Sequence, residues 1–296
     1  MRVLDLFCGA GGLALGFNKA GFNVTGVDIS PVAGQTFTFN RIGSFVQADL
    51  SHEEITGSYD IVIGGPPCRP WSPLNLKKRR SAHDDYQLIK RFFLHVKHIM
   101  PEIFVMENVP ALARDPIFIS SLGVSHDYSI AYEIINYADY GAATRRRRLI
   151  VVGVKKDSAA IIFQKLVTYR KPPATVKDAI SWLKDKPRGS VADHDWPNLR
   201  TIQHYTEKYK KGRYGWYVLK WDEPAPSFGN IMKTYILHPD GNRVISVREA
   251  LSIMGFPEEF CFPPKLGLSV RYQMIADAVS PVFSFALAQT IKSIYY

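Results

Sequence analysis

Cysteine is scarce in this sequence of 296 residues, and its three cysteines, Cys8, Cys68 and Cys261, are not spaced as metal ligands. The first strand-like segment starts at residue 2, which leaves no room for a signal peptide. An odd number of cysteines without a secretion signal predicts reduced thiols, a cytoplasmic protein and no bound metal. No uninterrupted apolar run reaches the roughly 18 residues of a membrane-spanning helix, so no membrane partner is expected.

Acidic residues are the minority among the charged residues, since 27 Asp and Glu stand against 37 Lys and Arg, which gives a net charge of +10. This excess favours a polyanionic partner such as nucleic acid, although a basic protein need not bind one. Part of the excess lies in three clusters, each of which a solvated loop would also explain: KKRR at 77–80, RRRR at 145–148 and KYKKGR at 208–213.

Short apolar runs alternate with helical patterns over the first half of the chain, and Ser30 and Ser246 are expected to cap helices. This order predicts an α/β fold with a doubly wound, mostly parallel, Rossmann-like sheet that binds ligands at the carboxyl ends of its strands. Near residue 155 the periodicity weakens. We therefore predict a larger domain from residues 1–160 plus 273–296 and a smaller, irregular lobe from 161–272.

The segment DLFCGAGGLALGF reads as a strand, a glycine turn and a helix. Gly9, Gly11 and Ala14 fit the spacing of a dinucleotide-binding turn, and Asp28 ends the next strand, where a ribose-binding acid would lie. Asp49 ends the third strand and would either accept a hydrogen bond from an exocyclic amine or cap a helix. The pattern favours a nucleoside ligand, does not distinguish NAD from S-adenosylmethionine, and also fits a turn that binds nothing.

The segment GGPPCRPWS follows an apolar strand and holds Cys68 between prolines. Prolines restrict the backbone, so the sulfur is expected at a fixed place, and a neighbouring cation such as Arg69 would lower the pKa of the thiol. A buried structural cysteine is the alternative. Glu107, with Asn108, ends another strand of the same predicted sheet. A thiolate and a carboxyl group at one edge suggest nucleophilic attack assisted by proton donation.

Four consecutive arginines precede the apolar strand RLIVVGV. Because alternate side chains of a strand share a face, Arg146 and Arg148 are expected to point the same way. A solvated strand start would also explain them.

Together these segments resemble the DNA cytosine-5 methyltransferases over nearly the whole chain. Six segments match the family's motifs in the family's order. They are DLFCGAGG for the cofactor motif, GGPPCRPWS for the Pro-Cys loop, ENV at 107–109, TRRRR for Gln-x-Arg-x-Arg, SVREALSIMGFP at 246–257, and IADAVSP at 275–281. Four residues depart from the family pattern: Arg69 and Thr144, where glutamine is usual, and Ala276 and Asp277, which replace Gly-Asn.

The resemblance implies a methyltransferase fold, S-adenosylmethionine as methyl donor, and base flipping. Cys68 would attack carbon 6 of cytosine while Glu107 bonds to ring nitrogen 3, and carbon 5 would take the methyl group. Arg146 and Arg148 would hold the base and Asn108 would order the loop. The residues implied around the cofactor are Phe7, Gly9, Gly11, Gly12, Leu13, Asp28, Ile29, Asp49, Leu50, Pro67, Leu88, Asp277 and Val279.

The resemblance further implies a prokaryotic, monomeric modification enzyme that acts on duplex DNA, with a possible cognate restriction endonuclease acting separately. The segment LKKRRS would bring charge to phosphates, and the aromatic and basic stretch 204–221 would read the site or form a small core. Three alternatives remain: a tRNA cytosine-5 methyltransferase, a non-catalytic DNA-binding relative suggested by Thr144 and Asp277, and an NAD-linked oxidoreductase, which leaves the Pro-Cys loop unexplained.

Overall fold

A computed structural model describes residues 1–71, 80–123, 127–198 and 216–296 of the chain. The basic residues 77–79 and 208–213 and most of the stretch 204–221 lie outside the described residues. The chain forms two compact units. The first comprises residues 1–136, 147–170 and 284–296, and the second comprises 137–146 and 171–283.

A sheet of seven strands is the centre of the first unit, in the order β3-β2-β1-β4-β5-β8-β6. The first five of these are parallel, and β8 is antiparallel to both of its neighbours. The predicted α/β, mostly parallel sheet is confirmed. The strands are β1 (Arg2–Leu6), β2 (Asn23–Asp28), β3 (Ser44–Gln47), β4 (Ile61–Gly64), β5 (Ile103–Asn108), β6 (Ser129–Asn136) and β8 (Arg147–Val154).

Helices flank this sheet. An apolar core includes Phe92 and Phe93 of α3 (Leu88–Ile99), whose rings contact the ring of Phe104 on β5. Ser30 caps α2 as predicted, because its hydroxyl oxygen accepts a hydrogen bond from the Ala33 N–H. The helices of this unit are α1 (Gly12–Lys19), α2 (Pro31–Phe39), α3 (Leu88–Ile99), α4 (Pro116–Leu122), α5 (Ala160–Leu166) and most of the final helix, α9 (Pro281–Tyr295).

The second unit is irregular, as the sequence predicts. Its described residues form two short parallel strand pairs and three α-helices. Ser246 caps α7 in a reciprocal capping box with Glu249, whose buried carboxylate also binds Arg243. The described elements are β7 (Thr144–Arg145), β9 (Trp216–Val218), β10 (Ala225–Pro226), β11 (Tyr235–Leu237), α6 (Val176–Ile180), α7 (Val247–Ile253) and α8 (Leu268–Asp277).

The bounds of the units differ from the predicted domain bounds, because residues 137–146 and 273–283 belong to the second unit and residues 161–170 to the first. Tyr137 stacks on Phe283, and the Ala143 N–H donates to the carbonyl of Ile253. These contacts join segments more than a hundred residues apart, which periodicity along the chain does not encode.

The stretch Leu268–Tyr295 has the length and hydropathy of a membrane-spanning helix, but 72% of its most apolar window is buried inside the protein. It also consists of two helices, α8 and α9, separated by three residues. Burial of this kind is what a core helix shows, so the stretch is weak evidence for a membrane span.

Candidate active site

The glycine turn after β1 adopts left-handed backbone conformations that favour glycine. Gly9 has φ 52° and Gly11 has φ 78°. A Cβ atom on Gly11 would lie 2.6 Å from Cδ1 of Ile42, whereas a Cβ on Gly9 would meet nothing within 4 Å. Gly11 is therefore required for packing as well as for its dihedral angle, and the turn leaves open space beside Gly9.

Asp28 closes this turn from the end of β2. One carboxylate oxygen accepts a hydrogen bond from the Gly9 N–H at 3.0 Å, and the other accepts from the Ser30 N–H at 2.9 Å. Burial raises the pKa of Asp28, and these backbone donors partly offset the rise. Each carboxylate oxygen has two acceptor sites, so acceptor capacity remains for a ribose hydroxyl, as expected of the ribose-binding acid that the sequence predicts.

Asp49 lies between β3 and β4, where none of the described residues begins a helix, and its carboxylate is bound within a turn. One oxygen of its carboxylate accepts from the Ser51 N–H at 2.9 Å, and the other lies 3.5 Å from Nδ1 of His52. The hydrogen bonds with Ser51 lower the pKa of Asp49. The next residue, Leu50, is buried, and its carbonyl accepts from Nε of Arg91 at 3.0 Å.

The other predicted cofactor residues fall into two groups. Those of the first unit lie after or near the strand ends. Phe7 (φ 59°) follows β1, Gly12 and Leu13 begin α1, Ile29 follows Asp28 and is 60% exposed, Pro67 precedes Cys68, and Leu88 begins α3. Asp277 and Val279 belong to the second unit, where both oxygens of the Asp277 carboxylate accept from Nε2 of Gln273.

The loop after β4 places Cys68 at the carboxyl ends of the parallel strands, where Asp28 also lies. Strands β4 and β5 are adjacent and parallel, with Gly64 opposite Met106, so their carboxyl ends meet. The Trp71 N–H donates to the carbonyl of Cys68 at 3.0 Å and closes a single turn of 3₁₀-helix. Cys68 is half-buried. Four residues, 65–68, separate the end of β4 at Gly64 from this turn at Arg69–Trp71.

The exposed guanidinium of Arg69 lies 3.5 Å from the carboxylate of Asp85, which compensates part of its positive charge. The effect of Arg69 on the Cys68 thiol stays a prediction.

Glu107 lies beside the Cys68 loop and is only 7% exposed. One carboxylate oxygen lies 3.0 Å from Nε of Arg148, and a Cβ on Gly65 would come within 3.3 Å of the other. The amide nitrogen of Asn108 donates to the carbonyl of Pro66 at 2.9 Å. Strand β5 thus carries a charge-compensated carboxylate and also holds the backbone that leads to Cys68.

Arg146 lies between β7 and β8 and belongs to neither strand, so Arg146 and Arg148 are not alternate residues of one strand. The expectation that their side chains point the same way stays a prediction. The buried guanidinium of Arg146 donates to the carbonyls of Phe228 and Ala276 within the second unit. Thr144, at the family's glutamine position, is buried and donates to the carbonyl of Pro226.

Asp5, which sequence reasoning did not single out, is 1% exposed, and one carboxylate oxygen has no hydrogen-bond partner among the described residues. Burial, with a smaller contribution from Asp28, raises the pKa of Asp5 from 3.8 to about 8. Its position inside the glycine-turn motif was the available signal. Within the described ranges, no group of three or more His, Cys, Asp or Glu side chains could hold a metal ion.

The raised pKa of Asp5 predicts a pH-dependent stability. The folded state keeps a proton that the unfolded chain releases near pH 4, so stability falls as pH rises from about 4 to about 8 and is then constant. Asp5→Asn should remove this slope, so its stability relative to wild type should increase by a few kcal/mol over that range. Urea denaturation at several pH values checks this, and equal slopes for both proteins would contradict it.

A mostly parallel sheet with a glycine turn, an acid at the end of β2, and a cysteine and a glutamate at the carboxyl ends of two adjacent strands is typical of α/β enzymes that combine a nucleoside-binding site with a cysteine nucleophile. Residues 1–293 match the family model of the C-5 cytosine-specific DNA methylases. The chain therefore belongs to this family of DNA cytosine-5 methyltransferases, which confirms the predicted family and enzyme class.

Individual relatives agree with this assignment over nearly their whole lengths. The type II methylase M.HgiDII of Herpetosiphon aurantiacus is 28% identical over 98% of this chain and 94% of its own. The type II methyltransferase M.FnuDI of Fusobacterium nucleatum is 28% identical over 99% and 94%. A crystal structure from an E. coli prophage, provisionally assigned as a DNA modification methyltransferase, superposes with a TM-score of 0.76, 25% identity and 99% coverage of both chains.

Proposed function

We propose that the protein transfers a methyl group from S-adenosylmethionine to carbon 5 of a flipped-out cytosine in a specific duplex DNA sequence, through a transient bond to Cys68. The observation that carries the proposal is the placement of Cys68 and Glu107. They lie at the carboxyl ends of adjacent parallel strands, joined by the Asn108 hydrogen bond to Pro66. All three residues belong to the first unit, so one chain supplies this chemistry.

The residues around the glycine turn fit a nucleoside cofactor. Gly9 has open space where a side chain would lie, Asp28 keeps acceptor capacity, and Ile29 presents an exposed apolar side chain next to it. These residues would hold S-adenosylmethionine, which when bound supplies a methyl group activated by a sulfonium. Asp49, with its carboxylate engaged by Ser51, is the least supported of the polar cofactor residues.

The chain's own residues account for activation of the base. The Cys68 thiolate adds to carbon 6 of cytosine, and Glu107 donates a proton to nitrogen 3, which makes carbon 5 nucleophilic. After carbon 5 is methylated, transfer of its proton to water breaks the bond between carbon 6 and sulfur and restores the thiolate, and nitrogen 3 returns its proton to Glu107. Arg148 orients the Glu107 side chain, and its guanidinium compensates the negative charge that Glu107 carries once the proton has passed to nitrogen 3.

The type II names of the relatives support a role in restriction-modification. We propose that a cognate endonuclease acts separately, that the enzyme works in the cytoplasm as a monomer, and that the second unit reads the DNA sequence. Duplex DNA and tRNA should each be incubated with the purified protein and labelled methyl donor, and the DNA sequenced after bisulfite treatment. Methylcytosine at one DNA sequence is expected. Labelling of tRNA alone would overturn the proposal.

Asp28→Ala should weaken binding of S-adenosylmethionine about 10- to 100-fold, because hydrogen bonds to a charged group are worth about 1.5–3 kcal/mol. Calorimetric titration measures this directly. Asp60→Ala is the matched control. Asp60 precedes β4 at the amino ends of the parallel strands, opposite the proposed site, and its carboxylate accepts a hydrogen bond from the Arg2 N–H. Equal affinities for wild type and Asp28→Ala would remove Asp28 from the proposed cofactor site.

A further inference from the structure

One buried carboxylate, that of Asp115, contacts the chain on both sides of residues 72–79. Its Oδ2 accepts a hydrogen bond from the indole N–H of Trp71 at 2.7 Å. Its Oδ1 accepts from the hydroxyl of Tyr86 at 2.8 Å. Asp115 is only 4% exposed. Burial of a carboxylate costs free energy unless hydrogen-bond donors surround it. These two bonds therefore stabilise the buried carboxylate, and they hold the side chains of Trp71 and Tyr86 against it.

Trp71 connects the Asp115 carboxylate to Cys68. Its indole is 3% exposed and stacks on the ring of Tyr86 with centroids 5.5 Å apart. Its backbone N–H donates to the carbonyl of Cys68 at 3.0 Å, three residues earlier. A displacement of the Trp71 indole would therefore be transmitted through one turn of backbone to the residue that carries the sulfur.

Asp115 is itself held in a defined conformation. It is the N-cap of α4, where its Oδ1 also accepts from the Ile117 N–H at 3.1 Å. On the other side of Cys68, Asn108 holds the carbonyl of Pro66. The loop that carries Cys68, residues 65–71, is thus held near one end by Asn108 of β5 and at the other end by Asp115 at the start of α4.

We propose that Asp115 is a positioning residue that, through Trp71 and Tyr86, sets the place from which Cys68 attacks the base. This inference rests on the proposed function of Cys68. Asp115 lies outside all six segments that resemble the family's motifs. The physical reason is that attack requires the sulfur close to carbon 6 in one orientation, and a displacement of about 1 Å can cost about 100-fold in rate.

The test compares Trp71→Phe and Tyr86→Phe, which each remove one donor to Asp115 and keep an aromatic ring. Tyr128→Phe is the matched control, since the Tyr128 hydroxyl is buried and donates to the carbonyl of Pro101 at 2.7 Å. The measurement is the single-turnover rate of adduct formation with a duplex containing 5-fluorocytosine, beside the Kd for DNA and for S-adenosylmethionine and the melting temperature.

Trp71→Phe should slow adduct formation about tenfold or more, with both Kd values within about twofold of wild type, and Tyr86→Phe should act in the same direction. In an Asp115→Asn background, Trp71→Phe should have little further effect, because both changes break one contact. Tyr128→Phe should form the adduct at the wild-type rate although it also loses a buried hydrogen bond.

The outcomes separate this proposal from the proposed function. If wild type forms the adduct and Trp71→Phe forms it equally fast, the positioning role is wrong and the role of Cys68 stands. A matching rise in the Kd for DNA would also overturn it, because the contact would then serve binding. If wild type forms no adduct, the proposed function fails and this inference fails with it.

Discussion

Cys68→Ala should lose methyl transfer by roughly four orders of magnitude or more, the scale on which loss of a catalytic nucleophile acts in other enzymes. Alanine cannot form the bond to carbon 6, so carbon 5 remains a poor nucleophile whatever else is in place. The side chain is half-buried in a loop whose backbone contacts come from Trp71 and Asn108. Alanine keeps both of these backbone contacts, so the fold and the binding of DNA should survive.

Two measurements check this result. Incorporation of labelled methyl groups into cognate duplex DNA gives the rate, and mass spectrometry of the 5-fluorocytosine adduct identifies the modified peptide. Cys261→Ala is the control, because Cys261 is also half-buried but belongs to the second unit. Methyl transfer by Cys68→Ala at the wild-type rate, or an adduct on another cysteine, would show that a different nucleophile acts.

Glu107→Gln should reduce the rate of methyl transfer about 100- to 10,000-fold, the range for losing a general acid in the transition state. The amide keeps the shape of the side chain but has no acidic proton to give to nitrogen 3. It also leaves the guanidinium of Arg148, 3.0 Å away, without its carboxylate partner. Breaking a largely buried ion pair from one side costs about 3–5 kcal/mol, so a lower melting temperature is expected as well.

Glu102→Gln separates the catalytic effect from a general loss of charge on β5. Glu102 immediately precedes this strand at its other end, where its carboxylate lies 3.4 Å from Nζ of Lys156 and both side chains are exposed. Exposed pairs contribute about 0–1 kcal/mol, so this variant should be stable and active. A Glu107→Gln enzyme that is destabilised but turns over at the wild-type rate would reduce Glu107 to a structural role.

The sequence determined the local part of this architecture. The alternation of apolar runs and helical patterns predicts the parallel sheet, and the spacing of Gly9 and Gly11 predicts the turn that Asp28 closes. Ser30 and Ser246 cap helices as expected. These features depend on residues close together in the chain, where steric limits on the backbone and capping hydrogen bonds act directly.

Tertiary structure alone decided how the charged and polar side chains pair. Neighbouring arginines separate, since Arg146 binds carbonyls of the second unit and Arg148 pairs with Glu107 in the first. Arg69 meets Asp85, and the Trp71 indole reaches Asp115, 44 residues away in the chain. A buried charge or donor takes whichever partner packing brings within about 3 Å, and the distance along the chain does not reveal which partner that is.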